Sequence, residues 1–381
     1  MITRVELLRS RSKCRWVEEG EKATKYFFNL GKRNYNRKTM HEVKSDSNQV
    51  ITEEQQILST IEAYYSDLYN SSSSELQDSF ENFSSNVTIA QLSDEEREEL
   101  EGGLTYEECK KVLETFANGK SPGVDGSTVE FYKCFFDLVG RDLLASLNAA
   151  YESDKLSISQ RRGIVTFLPK EDTDLHFLNN WKPITLLNVD YKIVSKAIAR
   201  RIEPMLPKLV HPDQTGSIKG RDIGENIRLI NGMREQMKIQ NVPGILISID
   251  FRKAFDSLEW SCIQNILQKF DFGDSIRRWI GVFYSDIESA VLNNGFSTKW
   301  FQPSRGVRQG CPLSPYLFIL AAEILASEIR QTPIVKRIRI FGSEIVLSQF
   351  ADDTNLLCAD LTSVENALEI VRVFGEFPDW W

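Results

Sequence analysis

Residues 345–358, IVLSQFADDTNLLC, decide the fold. Two short apolar runs, 345–350 and 355–358, flank a polar turn that contains Asp352 and Asp353. Apolar runs of this length around turn-forming residues predict a β-hairpin with acidic side chains at its tip. Aspartate is common in turns, so the hairpin alone does not indicate chemistry.

A further carboxylate, Asp250, follows the apolar run 245–249. The pattern predicts a strand from Val242 to Phe251, and its near-continuous apolar character indicates burial on both faces. A charge at the end of such a strand is costly unless it has a partner. If this strand lies beside the hairpin, three carboxylates converge and need a cation. Mg²⁺ favours one or two carboxylates with phosphate oxygens, and two such ions about 4 Å apart would suit an in-line phosphoryl displacement.

The remaining pattern mixes strands and helices without strict alternation, which favours an α+β fold over a doubly wound sheet. A strand is predicted at 162–170, and helices at 191–206, 260–270 and 315–329. The first hundred residues look helical, with a capping box from Ser93 to Glu96. The serine-rich, polar run 71–85 is typical of a flexible connection.

Composition excludes several classes of protein. The 381 residues predict two or three domains, and 41% hydrophobic with 26% charged residues is ordinary for a globular chain. The apolar stretch 316–326 is too short to span a bilayer. The six cysteines are scattered, which argues against a zinc site or disulfide scaffold and favours a reducing, intracellular setting.

Charge is unevenly distributed along the chain. The net charge is −8, from 46 basic and 54 acidic residues. Residues 1–44 carry +7 (12 − 5), residues 45–101 carry −13 (1 − 14), and the rest carries −2 (33 − 35). The basic head could follow nucleic-acid phosphates, or it could be the solvated face of a helix.

Three segments together resemble the motifs of reverse transcriptases. The sequence FADD (350–353) resembles their F/Y-x-D-D box, and SIDFRKAFDS (248–257) resembles their first carboxylate motif. GVRQGCPLSPYLF (306–318) is similar to the intervening motif of non-LTR, LINE-type retrotransposons. Weaker similarities to the same family extend the resemblance over residues 9 to 377: GEKATKYFFNL (20–30), KSPGVDG (120–126), LPK (168–170), WKPITLLN (181–188) and QTGSIKGR (214–221).

The resemblance implies the fingers and palm of a right-hand polymerase, with an antiparallel palm sheet preceded by a helical N-terminal linker region. The expected divisions are a charged helical linker region at 1–100, an upstream fingers extension at 101–160 and the reverse transcriptase domain at 161–381. Residues after 377 depart from the family pattern, and the thumb and endonuclease have no counterpart. This predicts a truncated copy with little or no activity, in which Phe374 would be exposed.

The resemblance also implies site residues. Asp250 and Asp352 would hold two Mg²⁺ ions, with Mn²⁺ as a substitute, and Asp353 would be a less critical third carboxylate. The backbone carbonyl of Phe251 would complete the shell of the second metal. Phe255 would exclude a ribose 2′-OH.

Two pairs of residues would hold the nucleotide and template. Lys170 and Lys182 would bind the triphosphate, although the family usually has Arg at the second position. Gln309 and Gly310 would contact the incoming nucleotide and the template strand.

The implied function is RNA-directed DNA synthesis from dNTPs on an RNA template and a DNA primer, without a membrane, inside the cell and by family in the nucleus. One alternative is a catalytically dead remnant that keeps the fold and RNA binding. Another is an intron-encoded or RNA-dependent RNA polymerase. Phe255 argues against ribonucleotide use, and the segment 20–30 argues against an intron protein.

Overall fold

The computed structural model describes residues 39–45, 48–71, 75–340 and 342–376, without the side chains of 75–79, 340, 343 and 376. Residues 1–38, which are most of the basic head 1–44 and include the resemblance at 20–30, lie outside these ranges, as do the last residues 377–381.

The described residues form helices and strands, numbered here in chain order. The helices are α1 (Glu54–Leu68), α2 (Glu75–Ser85), α3 (Asp94–Leu100), α4 (Tyr106–Glu114), α5 (Val129–Glu152), α6 (Ile158–Arg161), α7 (Val189–Ile202), α8 (Leu206–Leu209), α9 (Ile223–Gln240), α10 (Trp260–Lys269), α11 (Asp274–Tyr284), α12 (Ser314–Gln331) and α13 (Leu361–Glu376). The strands are β1 (Val43–Lys44), β2 (Val50–Ile51), β3 (Arg162–Pro169), β4 (Trp181–Leu187), β5 (Ile245–Ile249), β6 (Glu288–Asn293), β7 (Phe296–Ser297), β8 (Ile338–Ile340), β9 (Ser343–Ile345), β10 (Leu347–Phe350) and β11 (Asp353–Cys358).

The antiparallel sheet β10-β11-β5 carries the predicted hairpin. Phe350 pairs with Asp353, so Ala351 and Asp352 form a two-residue turn, and Ala351 has a positive φ of 53°. Thr354 pairs with Ile249, which places the first carboxylate strand beside the hairpin. The α+β class and the antiparallel palm sheet are therefore confirmed.

The expectation that this first strand is buried on both faces is wrong. Ile245, Ile247 and Ile249 of β5 pack against the main core, whereas Leu246 is 48% exposed and Ser248 is also exposed. Strand β5 pairs antiparallel with β11 and lies at the edge of the sheet. An antiparallel sheet can leave one face to water, and here the helices cover only the other face of β5.

A second, mixed sheet has the strand order β4-β3-β6-β7. Strands β3 and β4 are antiparallel, with Leu168 opposite Lys182, while β3 and β6 run parallel. The predicted strand at 162–170 is confirmed as β3. The N-terminal helix α1 covers this sheet, because Ile61 and Tyr65 are buried in one cluster with Phe167.

The largest core lies beneath the palm sheet. Helix α12 is buried along nearly its whole length, and α7, α10 and α11 contribute their apolar faces to the same cluster. The capping box of α3 is confirmed, since Ser93 Oγ accepts from the Glu96 amide and Glu96 Oε2 accepts from the Ser93 amide. In the described ranges no helix combines the length and apolarity needed to cross a bilayer.

The expectations about the segment 71–85 and about Phe374 are wrong. Most of the polar run 71–85 is helix α2, whose Phe80 is buried, rather than a flexible connection. Phe374 of α13 is buried as well, with its ring centroid 6.3 Å from that of Phe80 and 5.5 Å from that of Phe83. Helices α2 and α13 thus bury each other's aromatic side chains. The composition of the two segments did not indicate this contact.

Candidate active site

A cleft of about 520 Å³ opens between the turn of the palm hairpin and the end of the β3–β4 pair. It brings together most of the residues that the sequence predicts to act. Those that line it are Lys170, Lys182, Asp250, Phe251, Phe255, Gln309 and Asp352. Asp353 and Gly310 do not line it.

The carboxylates stand at the ends of paired strands. Asp250 directly follows β5, and the register of β5 with β11 places Asp353 opposite it. Asp352 occupies the turn and is half-buried, while Asp250 and Asp353 are exposed. Burial raises the pKa of Asp352, the charges of Asp353 and Asp250 raise it further, and Lys182 opposes the shift. The three carboxylates are thus close enough to repel one another.

The donor set suits Mg²⁺ more than a metal that prefers an all-protein cage. In the part of the chain that the structure describes, no three His, Cys, Asp or Glu side chains are arranged as a metal site. Two carboxylates, from Asp250 and Asp352, do face the same cleft. Mg²⁺ keeps several waters and binds through one or two carboxylates plus substrate phosphates, so the cleft fits the ion together with a nucleotide.

No role for Gln214 was predicted from the sequence, although its side chain contacts the palm turn at Ala351. Its side-chain oxygen accepts hydrogen bonds from the amides of Ala351, at 2.8 Å, and Gly216, at 2.9 Å. Its side-chain nitrogen donates to the Ala351 carbonyl at 3.1 Å. A buried amide that satisfies both backbone groups of one residue fixes that residue's orientation. Gln214 therefore sets the position of Asp352, which follows Ala351.

Across the cleft from the carboxylates lie two exposed lysines. Lys170 follows β3, where its amide donates to the Asn180 carbonyl at 3.0 Å, and Lys182 lies on β4. Among the described side chains neither ammonium forms an ion pair. Lys253, which was not predicted, also lines the cleft; its pKa is lowered by burial, and its ammonium donates to the Trp181 carbonyl at 3.2 Å. The cleft thus presents cations opposite carboxylates.

The positions of two further predicted residues, Phe255 and Gly310, are set by packing. The ring of Phe255 stacks on Phe318, with centroids 4.5 Å apart, so its position is set by core packing although it lines the cleft. Gly310 has a φ of +112°, and a Cβ there would lie 2.7 Å from the Thr185 carbonyl oxygen. This glycine is required by the close approach of β4 rather than by a surface that faces the cleft.

Comparison with known proteins agrees with this geometry. Residues 168–377 match the family model of reverse transcriptase (RNA-dependent DNA polymerase). The chain is 31% identical over 365 residues to the "Transposon TX1 uncharacterized 149 kDa protein" of Xenopus laevis, which covers 96% of this chain and 28% of that protein.

Other relatives include polyproteins from R2 retrotransposable elements. The "Retrovirus-related Pol polyprotein from type-1 retrotransposable element R2" of Popillia japonica is 33% identical over 197 residues, 50% of this chain and 27% of that protein. The corresponding type-2 R2DM polyprotein of Drosophila melanogaster is 24% identical over 233 residues, 61% of this chain and 21% of that protein. The chain spans between a fifth and a third of these relatives. It belongs to the reverse transcriptase family, in the branch of non-LTR, LINE-type retrotransposons.

Proposed function

We propose that the cleft catalyses RNA-directed DNA synthesis: the 3′-OH of a DNA primer attacks the α-phosphate of a dNTP paired with an RNA template, and pyrophosphate leaves. The observation that carries the proposal is the cleft itself. It joins Asp250 and Asp352 of the palm to Lys170 and Lys182 of the opposite sheet. Carboxylates facing cations across one cleft suit a metal-bound triphosphate, whose charge needs both.

Each side chain contributes a separate part. Asp250, Asp352 and the Phe251 carbonyl would hold Mg²⁺, which when bound neutralises charge on the phosphates. Lys170 and Lys182 bind the triphosphate oxygens as compact cations. Phe255 closes the space where a ribose 2′-OH would sit, and Gln309 meets the nucleotide or template. The RNA template, the DNA primer and action in the nucleus are part of the same proposal.

The direct test is templated incorporation of a dNTP in Mg²⁺ by the wild-type chain and by Asp352→Asn. Incorporation that requires Asp352 supports the proposal. A folded chain that binds RNA but neither binds nor incorporates a dNTP would instead be the catalytically dead remnant.

Substituting Lys182→Arg is expected to tighten dNTP binding severalfold. Arginine keeps the charge and adds a planar fork that can contact two phosphate oxygens, which the exposed position on β4 leaves room for. The KM for dNTP, measured in primer extension, should fall while kcat changes little. Lys208→Arg, at a distant lysine that pairs with Glu96, is the matched control and should leave KM unchanged. A KM for Lys182→Arg equal to wild type would show that this lysine does not touch the triphosphate.

Substituting Phe255→Val is expected to relax selection against ribonucleotides by about tenfold, since shrinking the ring opens space where a 2′-OH would sit. The measurement is the ratio of kcat/KM for a dNTP to that for the matching rNTP. Phe255 also stacks on Phe318, so the melting temperature is measured in parallel. A less stable protein with an unchanged ratio would mean that Phe255 is only a core residue.

A further inference from the structure

A buried carboxylate, Asp256, lies beneath the nucleotide cleft. Only 1% of its surface is exposed, yet it lies within the motif 248–257 and lines the cleft. Gln309 Nε2 donates to its two oxygens at 3.0 and 2.9 Å, and the Tyr69 hydroxyl donates to Oδ1 at 3.0 Å. Two side chains from distant parts of the sequence therefore share one buried acceptor.

This arrangement orients the amide of Gln309. An ionised carboxylate only accepts hydrogen bonds, so the amide NH₂ of Gln309 must point inward to Asp256. The backbone carbonyl of Gln309 accepts from the Thr185 amide at 2.8 Å, which fixes the other end of the residue. In the described part of the chain, no group donates to the side-chain oxygen of Gln309, which is left for the cleft.

Contacts with the segment 301–305 also fix the position of Tyr69. Tyr69 follows the last turn of α1, and its carbonyl accepts from the amides of Ser304, at 2.8 Å, and Arg305, at 3.3 Å. Its ring stacks on Phe301 with centroids 6.4 Å apart. Residues 301–305 lead directly into the loop that carries Gln309. The end of α1 is thus docked on the loop whose glutamine it helps to orient.

Burial also makes Asp256 dependent on its partners. Removal from water raises its pKa to about 6, while the charge of Lys253 and the hydrogen bonds from Tyr69 and Gln309 oppose that shift. A buried carboxylate that loses a donor is left undersatisfied, and it compensates by moving or by taking up a proton. Either response would release the amide of Gln309.

We infer that Tyr69 is a positioning residue of the nucleotide cleft, acting through Asp256 on Gln309, and that the segment 54–71 is an integral part of this site. Tyr69 lies about one hundred residues before the part of the chain that matches the family model, which begins at residue 168. The inference rests on the proposed function, because it takes the cleft to bind a dNTP.

The chain offers a matched pair of variants. Tyr69→Phe removes the hydroxyl that Asp256 accepts and keeps the ring. Tyr65→Phe makes the same change one turn earlier on α1, where the buried hydroxyl has no hydrogen-bond partner among the described residues. The probe is a fluorescent dATP analogue, whose Kd is measured with Mg²⁺ on the 381-residue chain.

Tyr69→Phe is expected to raise this Kd about tenfold, as for loss of a hydrogen bond to a charged group, while Tyr65→Phe leaves it unchanged. In a Gln309→Ala background, Tyr69→Phe should add little, because its effect passes through Gln309. Equal Kd values for Tyr69→Phe and Tyr65→Phe, or full additivity with Gln309→Ala, would overturn the inference.

The same titration separates this inference from the proposed function. Asp352→Asn should weaken Mg²⁺-dependent binding of the analogue. If it does so while Tyr69→Phe behaves like Tyr65→Phe, the cleft binds nucleotide and only the role of Tyr69 is wrong. If the wild-type chain does not bind the analogue, the proposed function fails and the inference fails with it.

Discussion

Replacing Asp352 by Asn should reduce dNTP incorporation about a thousandfold, equivalent to ~4 kcal/mol of transition-state stabilisation. The substitution keeps the shape of the side chain and removes the charge that would hold a metal ion at the palm turn. Asp250→Asn should have a similar effect, because Asp250 also lines the cleft and is the other carboxylate proposed to hold the metal. Single-turnover incorporation with excess protein is the measurement, since it reports the chemical step without product release.

Stability distinguishes this loss from misfolding. Asp250, Asp352 and Asp353 repel one another, so removing one charge is expected not to lower the melting temperature. Asp353→Asn should cost less activity than either neighbour, because Asp353 does not line the cleft. Asp142→Asn, at an exposed position of α5, is the control and should behave as wild type. Activity retained within tenfold in Asp352→Asn would refute its assignment as a metal ligand.

Replacing Gly216 by Ala should destabilise the palm hairpin by about 3 kcal/mol and reduce incorporation on the order of a hundredfold. A Cβ at residue 216 would lie 2.3 Å from the Ala351 nitrogen. Both atoms are fixed to backbone, so the segment 214–216 and the turn at Ala351 must move apart. The hydrogen bonds between Gln214 and the backbone of Ala351 would then break, and Asp352 would shift in the cleft.

Gly232→Ala provides the matched control for this experiment. Gly232 lies within α9, and a Cβ there would meet nothing within 4 Å. Alanine in an open helical position is expected to stabilise the protein by ~0.5–1 kcal/mol. Chemical denaturation of both variants measures the difference. If Gly216→Ala is as stable and active as Gly232→Ala, the contact between residues 216 and 351 does not position the turn.

Local sequence was sufficient where one short segment determines the structure. The hairpin at 347–358 follows from two apolar runs around a polar turn, and the location of Asp250 follows from the apolar strand before it. The family resemblance then indicated that Lys170, Lys182, Phe255 and Gln309 share a site, and the cleft does contain them. Their roles stay predictions until the variants are measured.

What the sequence did not indicate depends on contacts between distant segments. Tyr69 meets Asp256 across 187 residues, and Gln214 meets Ala351 across 137. The spacing of polar and apolar residues along the sequence does not indicate such long-range pairs, because it depends only on neighbouring residues. The helix α2 was missed for the same reason: Phe80 and Phe83 form an apolar stripe only once α13 is beside them. The exposure of one face of β5 likewise could not be predicted, because it depends on which face of the sheet the helices cover.

The most direct test of the central claim is addition of a single nucleotide to a DNA primer on an RNA template, in Mg²⁺, with the protein in excess and each dNTP and rNTP supplied separately. We expect addition of the complementary dNTP alone, with little use of the rNTP and no addition by Asp352→Asn. Failure of a folded wild-type chain to add any nucleotide, or addition that ignores the template or the loss of Asp352, would contradict it.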